Sequence, residues 1–135
     1  MTASIEPLWV SKETIIAMHD RQIAEFGGAS GVRDMGLLES AIMRPQNAFY
    51  YEHVTSLTRL AAKYAHGIAK NHAFVDGNKR TAFMSCYLFL LKNGFAINAS
   101  EQERFTSILS LAEGVYSEED FTNWLDRYTQ KDTNS

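Results

Sequence analysis

The sequence has a single cysteine, Cys86, set inside an apolar run, so no intramolecular disulfide can form. A buried thiol in a reducing compartment is the simplest reading, which points to the cytoplasm. The N-terminus lacks a basic segment followed by an apolar one, and no stretch approaches the roughly 18 apolar residues of a membrane span, so export and insertion are both set aside. Basic residues are in deficit. Lys and Arg number 13 against 16 Asp and Glu, for a net charge of -3, and the pI is near 5.8. General nucleic-acid binding usually shows itself as a basic domain, so any anion site here is local. Repeats and internal linkers are also missing. What is present is 135 residues, 45% hydrophobic and 21% charged, the balance of one domain with its own core. The chain reads as a single domain over 1–130, with 131–135 as a frayed tail.

Helical signals follow one another. Ser11 can cap a helix carrying Ile15, Ile16, Met18, Ile23 and Phe26, and Gly27-Gly28 can end it. The glycine-rich GASGVRD leads into a short helix, MGLLESAIM, which Pro45 is expected to stop. The aromatic QNAFYYEHV shows no helical period and is read as an extended flap within 45–54. From 57 to 69, Leu57, Leu60, Ala61, Tyr64, Ala65, Ile68 and Ala69 recur at three and four, marking one apolar helical face. The segment from Ala82 to Leu91 is apolar nearly all round, which suits a helix over 79–92 at the centre of a bundle. Gly94 fits the position just past its end, and residues 95–98 make an extended connection. Ser100 with Glu103 has capping-box spacing, and Ser117 begins the last helix. The expected fold is all-α: a compact bundle of about six helices around a central buried helix, with a short extended flap.

Between two of these helices stands NHAFVDGNKRT, residues 71–81, far richer in polar chemistry than a turn needs. It feeds a helix N-terminus, where free N–H groups and about half a positive charge favour an anion. Lys79 and Arg80 add two cations at the end where the helix dipole disfavours them, a cost that a bound anion offsets. Phosphate is the natural candidate, because arginine grips it with two hydrogen bonds and lysine as a point charge. His72 could act as a general base, and Asp76 could hold a magnesium ion bridging phosphate oxygens. Gly77 would let a ligand approach the backbone, Asn78 lies beside it, and Phe74 would anchor the loop in the core. The plainer reading of Asp76 or Asn78 is a helix N-cap, which is compatible with either role. His66 is read as packing, His19 and His53 have no supporting context, and Glu113-Gly114 reads as a helix end.

HAFVDGNKR resembles the active-site motif of the Fic/Doc superfamily, H-x-F-x-D/E-G-N-G/K-R, and matches it at each specified position. The stretch FGGASGVRDMGLLESAIMRPQ, the apolar helix after the motif and the closing helix around Trp124 extend the resemblance, to the death-on-curing branch, across nearly the whole chain. Members that transfer AMP usually have glycine after the asparagine and a second arginine three residues beyond the first. Here those places hold Lys79 and Phe83, as in the Doc-type branch. Gly77 stands where that branch's prototype has alanine, and Met84 where it has a polar residue. The resemblance implies a toxin that uses ATP and magnesium to transfer the γ-phosphate to a hydroxyl of elongation factor Tu. His72, Asp76, Lys79 and Arg80 would be catalytic, Gly77, Asn78, Lys79 and Arg80 would bind the nucleotide, and Asp76 would hold the metal. AMP transfer and a silent peptide-binding module are the alternatives. It also implies an antitoxin whose disordered segment folds as a helix on the toxin. The expected groove lies near the 71–80 loop, with Phe49 and Tyr50 read either as the rim of that groove or of a target-docking flap, or as core.

Overall fold

The computed structural model describes residues 5–133. Six helices occupy most of them: α1 (Lys12–Phe26), α2 (Met35–Glu52), α3 (Leu57–Asn71), α4 (Asn78–Lys92), α5 (Glu101–Glu113) and α6 (Glu118–Tyr128). Two short strands, β1 (Phe95–Ile97) and β2 (Thr129–Lys131), pair antiparallel. The all-α bundle expected from the sequence is therefore present, with this two-stranded addition. No helix among the described residues is long and apolar enough to cross a membrane.

Local chemistry explains most helix starts. The side chains of Ser11, Asp34, Ser56, Ser100 and Ser117 each accept a hydrogen bond from a first-turn N–H, and the last two sit in full capping boxes with Glu103 and Asp120. The start of α4 differs: its N-cap is Gly77, with no side-chain cap bond.

The most enclosed helix is α3 rather than α4. It buries ten of its 15 residues, from Leu57 to Ala69, and α2, α4, α5 and α6 all pack on it. Its Tyr64 hydroxyl, pushed up to about 12 by burial, accepts the Val10 N–H at 3.0 Å. The helix α4 buries Ala82, Phe83, Cys86, Phe89 and Leu90, but Met84, Tyr87 and Leu88 are only partly covered and Leu91 is exposed. Cys86 is a buried free thiol, as expected, and its pKa is raised by desolvation.

The expected flap does not exist. Pro45 lies inside α2, which runs unbroken to Glu52 and ends at His53 in the left-handed region, φ 57°. An interior proline costs about 3 kcal/mol. The helix survives because its buried stripe, Leu38, Ala41, Ile42, Pro45 and Ala48, keeps helical spacing through the proline. Past it, Phe49 and Tyr50 pack on Trp9 at centroid distances of 5.7 and 6.3 Å. The tail also differs from expectation: Lys131 pairs with Phe95, and the Asp132 N–H donates to the Gly94 carbonyl at 2.9 Å. Residues 134–135 of the expected tail lie outside the described residues.

One ionic cluster ties three helices together. Glu118 of α6 accepts from Arg44 of α2 and Lys63 of α3, each at 2.8 Å, and His66 Nδ1 lies 3.4 Å from the same carboxylate. Partial burial pushes the Glu118 carboxyl up, but hydrogen bonds and charges from Lys63 and Arg44 outweigh it and leave the carboxyl below the ordinary 4.5. A carboxyl lowered on folding adds stability that is complete above its unfolded pKa and is lost as pH falls through the folded one. Glu118→Gln is therefore expected to destabilise the protein by roughly 1–2 kcal/mol at pH 7. The deficit against the parent should shrink as pH falls below about 4.5. Thermal unfolding of both proteins at pH 7 and pH 4, followed by circular dichroism, measures it. A deficit that is unchanged at pH 4 would contradict this assignment.

Candidate active site

The residues singled out in the sequence converge at the junction of α3 and α4. The α3 helix ends on His72, whose φ of 50° is left-handed. Among the described residues only His53 and His72 combine a side chain with positive φ, a conformation costing about 1–2 kcal/mol. The glycine-rich stretch before α2 holds it there. Arg33 donates from Nε and Nη2 to the His72 carbonyl at 2.9 and 2.5 Å. The backbone N–H groups of Arg33 and Asp34 reach the Ala73 carbonyl at 2.7 and 3.0 Å, and Val75 N–H reaches the Gly31 carbonyl at 3.1 Å. The GASGVRD segment is thus strapped along the motif loop, a role its sequence did not reveal.

Within the loop, Phe74 is 1% exposed and anchors it in the core as expected. Asn78 accepts the Phe74 N–H through Oδ1 and donates from Nδ2 to the Phe74 carbonyl, both at 3.0 Å. Its side chain therefore fixes the loop's shape and does not cap the helix. Asp76 does not cap the helix either. Its Oδ1 accepts the N–H of Gly77 at 2.9 Å, and its Oδ2 lies 3.4 Å from the Ala29 N–H.

Gly77, at φ 74°, sits in the left-handed region that favours glycine, and a Cβ there would come 2.2 Å from Gln22 Nε2 on α1, so the tip of that side chain would have to shift. Two residues of α1 brace this turn: His19, which has no supporting context in the sequence, and Gln22. His19 Nε2 lies 2.7 Å from the Asp76 carbonyl, and Gln22 Nε2 donates to the Gly77 carbonyl at 3.2 Å. Both contacts span more than fifty residues, so no local spacing announces them.

The loop forms one wall of a cleft of about 580 Å³. His72, Asp76, Gly77, Asn78, Lys79 and Arg80 all line it, so the structure brings every expected site residue together. The opposite wall is α5, through Glu101, Arg104, Phe105 and Ile108. Arg104 is tied back by hydrogen bonds to the carbonyls of Ala99 and Ile97, each at 3.1 Å, and lies over the Tyr87 ring. Phe105 is 59% exposed and offers an open aromatic face. No residue of 45–54 lines the cleft, so Phe49 and Tyr50 are not its rim.

The arrangement fits an anionic ligand. The first turn of α4 has no side-chain cap, and it carries exposed Lys79 and Arg80. Arg80 is already oriented, 4.1 Å over the Phe26 ring and 3.4 Å from Gln22 Oε1. No group of three or more metal-ligating side chains occurs among the described residues. Two exposed carboxylates line the cleft, Asp76 on the loop and Glu101 on α5, and Asp76, next to the start of α4, suits magnesium bound through one carboxylate plus substrate phosphates and water.

A model of the Fic/DOC family matches residues 9–90, from the segment before α1 through most of α4. The chain is 42% identical over 88 residues to "Protein kinase doc" of Escherichia phage P1, a match covering 65% of this chain and 70% of that protein. It is 47% identical over 77 residues to "Toxin Doc" of Mycolicibacterium smegmatis, covering 55% of this chain and 58% of that one. The α5 wall of the cleft lies outside the segment that the family model matches.

Proposed function

This chain belongs to the Fic/DOC family, and from that premise we propose that it is the toxin of a toxin–antitoxin pair, transferring the γ-phosphate of ATP to a protein hydroxyl. The observation that carries the reading is the start of α4. It has no side-chain cap, it has Lys79 where AMP-transferring members have glycine, and it buries Phe83 where they have a second arginine. Lysine fills the space along which a nucleotide's phosphates would otherwise run and places a charge for a terminal phosphate. The names of the two relatives, one a protein kinase and one a toxin, support both halves of the proposal.

In this mechanism the oxygen of the target hydroxyl attacks the γ-phosphorus, the bond from that phosphorus to the bridging oxygen breaks, and ADP leaves. His72 takes the hydroxyl proton. Lys79 and Arg80 hold the phosphates and stabilise charge as it moves to the leaving oxygen. Asp76 would hold magnesium, which supplies further charge neutralisation to the phosphates. We propose elongation factor Tu as the target. The inhibitory partner is an antitoxin segment that folds as a helix on the toxin, with acidic residues facing Lys79 and Arg80.

The test is a bacterial lysate incubated with the purified chain and ATP labelled on either the γ- or the α-phosphate. Label is expected on protein from the γ position alone. Label from the α position alone would establish AMP transfer, and label from neither would favour a silent binding module.

A further inference from the structure

His19 is fully buried in α1, stacked on Phe74 at a centroid distance of 3.9 Å with the planes 12° apart. Its Nε2 faces the Asp76 carbonyl oxygen at 2.7 Å. That oxygen can only accept, so Nε2 carries a hydrogen and donates it. Nδ1 is buried without a hydrogen-bond partner, and the nearest charged group is the Asp20 carboxylate at 3.8 Å. Leaving a polar atom unsatisfied in a core costs about 1–3 kcal/mol. A phenylalanine would stack on Phe74 without that cost, so packing alone does not account for a histidine here. The donor at Nε2 does.

What that donor controls lies on the other side of one peptide plane. In a trans peptide the carbonyl and the following N–H point in opposite directions. Fixing the Asp76 carbonyl against α1 therefore turns the Gly77 N–H outward, where it holds the Asp76 carboxylate through Oδ1 at 2.9 Å. Gln22, one turn further along the same face of α1, acts similarly. Its Nε2 donates to the Gly77 carbonyl and to Thr81 Oγ1, both at 3.2 Å, and its Oε1 accepts from Arg80. We infer that His19 and Gln22 are positioning residues, a brace from α1 through which the Asp76 carboxylate and the Arg80 guanidinium are held in place for the reaction. The inference deepens the phosphotransfer reading and rests on it for the reaction, while the brace itself has a separate readout.

Two substitutions separate positioning from packing. His19→Phe keeps the ring on Phe74 and removes the donor. His19→Gln keeps a donor at similar reach and removes the ring. The measurements are label transfer from γ-labelled ATP, resolved into kcat and KM, the unfolding midpoint, and the backbone amide resonance of Gly77 in the intact protein. Positioning predicts that His19→Phe lowers kcat by about tenfold or more, leaves the midpoint near that of the parent and shifts the Gly77 resonance. His19→Gln should stay within about threefold of the parent in kcat and keep the resonance. The reverse pattern, with His19→Phe like the parent and His19→Gln impaired, overturns the inference. If the parent itself transfers no label, the phosphotransfer reading fails, and the Gly77 resonance still decides whether His19 sets the peptide. If His19→Phe does not fold, Gln22→Met takes its place. It is expected to raise KM for ATP about tenfold by releasing Arg80, and an unchanged KM would overturn the brace.

Discussion

If the chain is the phosphate-transferring toxin proposed above, replacing His72 with alanine is expected to abolish label transfer, and with it the growth arrest such a toxin should cause when expressed, while leaving the fold intact. The imidazole is exposed on the cleft wall, so truncating it removes little packing. The tertiary bonds that hold this residue, those from Arg33, end on its backbone carbonyl and survive the change. Alanine tolerates the left-handed region somewhat less well than histidine, but the difference is at most about 1 kcal/mol. The chemistry loses much more. A positioned general base contributes about 10²–10⁴-fold, equivalent to roughly 3–5 kcal/mol of barrier. The measurement pairs far-ultraviolet circular dichroism with transfer from γ-labelled ATP. A folded His72→Ala protein that transfers at the parent's rate would eliminate His72 as the base.

The legible part of this protein was the part written in local chemistry. Ser11, Ser100 and Ser117 announce helix starts because a cap and its first-turn N–H are three residues apart. Gly94 and Gly114 announce ends because each sits in the left-handed region just past a helix. The cleft wall from His72 to Arg80 was readable for the same reason, being one continuous stretch of chain. Errors arose where distant contacts overrode local preference. Pro45 read as a stop because its helix-breaking cost is local, whereas the burial that carries α2 past it comes from Trp9 and other parts of the chain. Gly77 lines the cleft, but the place its Cβ would take is filled by the tip of Gln22 from another helix, a contact no local spacing shows. His19 read as featureless because its partner is 57 residues away. The β1–β2 pair joins residues more than thirty positions apart, and neither strand is long enough to show an alternating pattern.

A glycine that local reading passes over carries the largest expected effect on stability. Gly67 lies inside α3, where glycine costs about 1 kcal/mol relative to alanine, so something must offset that loss. The reason is the crossing with α2. A Cβ on Gly67 would lie 3.2 Å from both Cα and Cβ of Ala41 and 3.3 Å from its carbonyl oxygen. The neighbours are backbone and a side-chain stub, neither of which can rotate away. Ala41 and Gly67 together let the two helices approach closely, and Pro45 leaves the Ala41 carbonyl without its usual helical donor one turn later. Alanine at position 67 gains helix propensity and meets contacts tight by a few tenths of an ångström, so Gly67→Ala should change stability by less than about 1 kcal/mol. Gly67→Leu has no such compromise. It must push α2 away from α3, and is expected to cost about 3 kcal/mol and lower Tm by roughly 10 °C. Because His72 ends the same helix that Gly67 seats, transfer activity should fall along with stability even at temperatures where the variant remains folded. Thermal unfolding at 222 nm on both variants tests the crossing. A Gly67→Leu protein that melts with the parent would mean that α2 and α3 do not meet at Ala41 and Gly67.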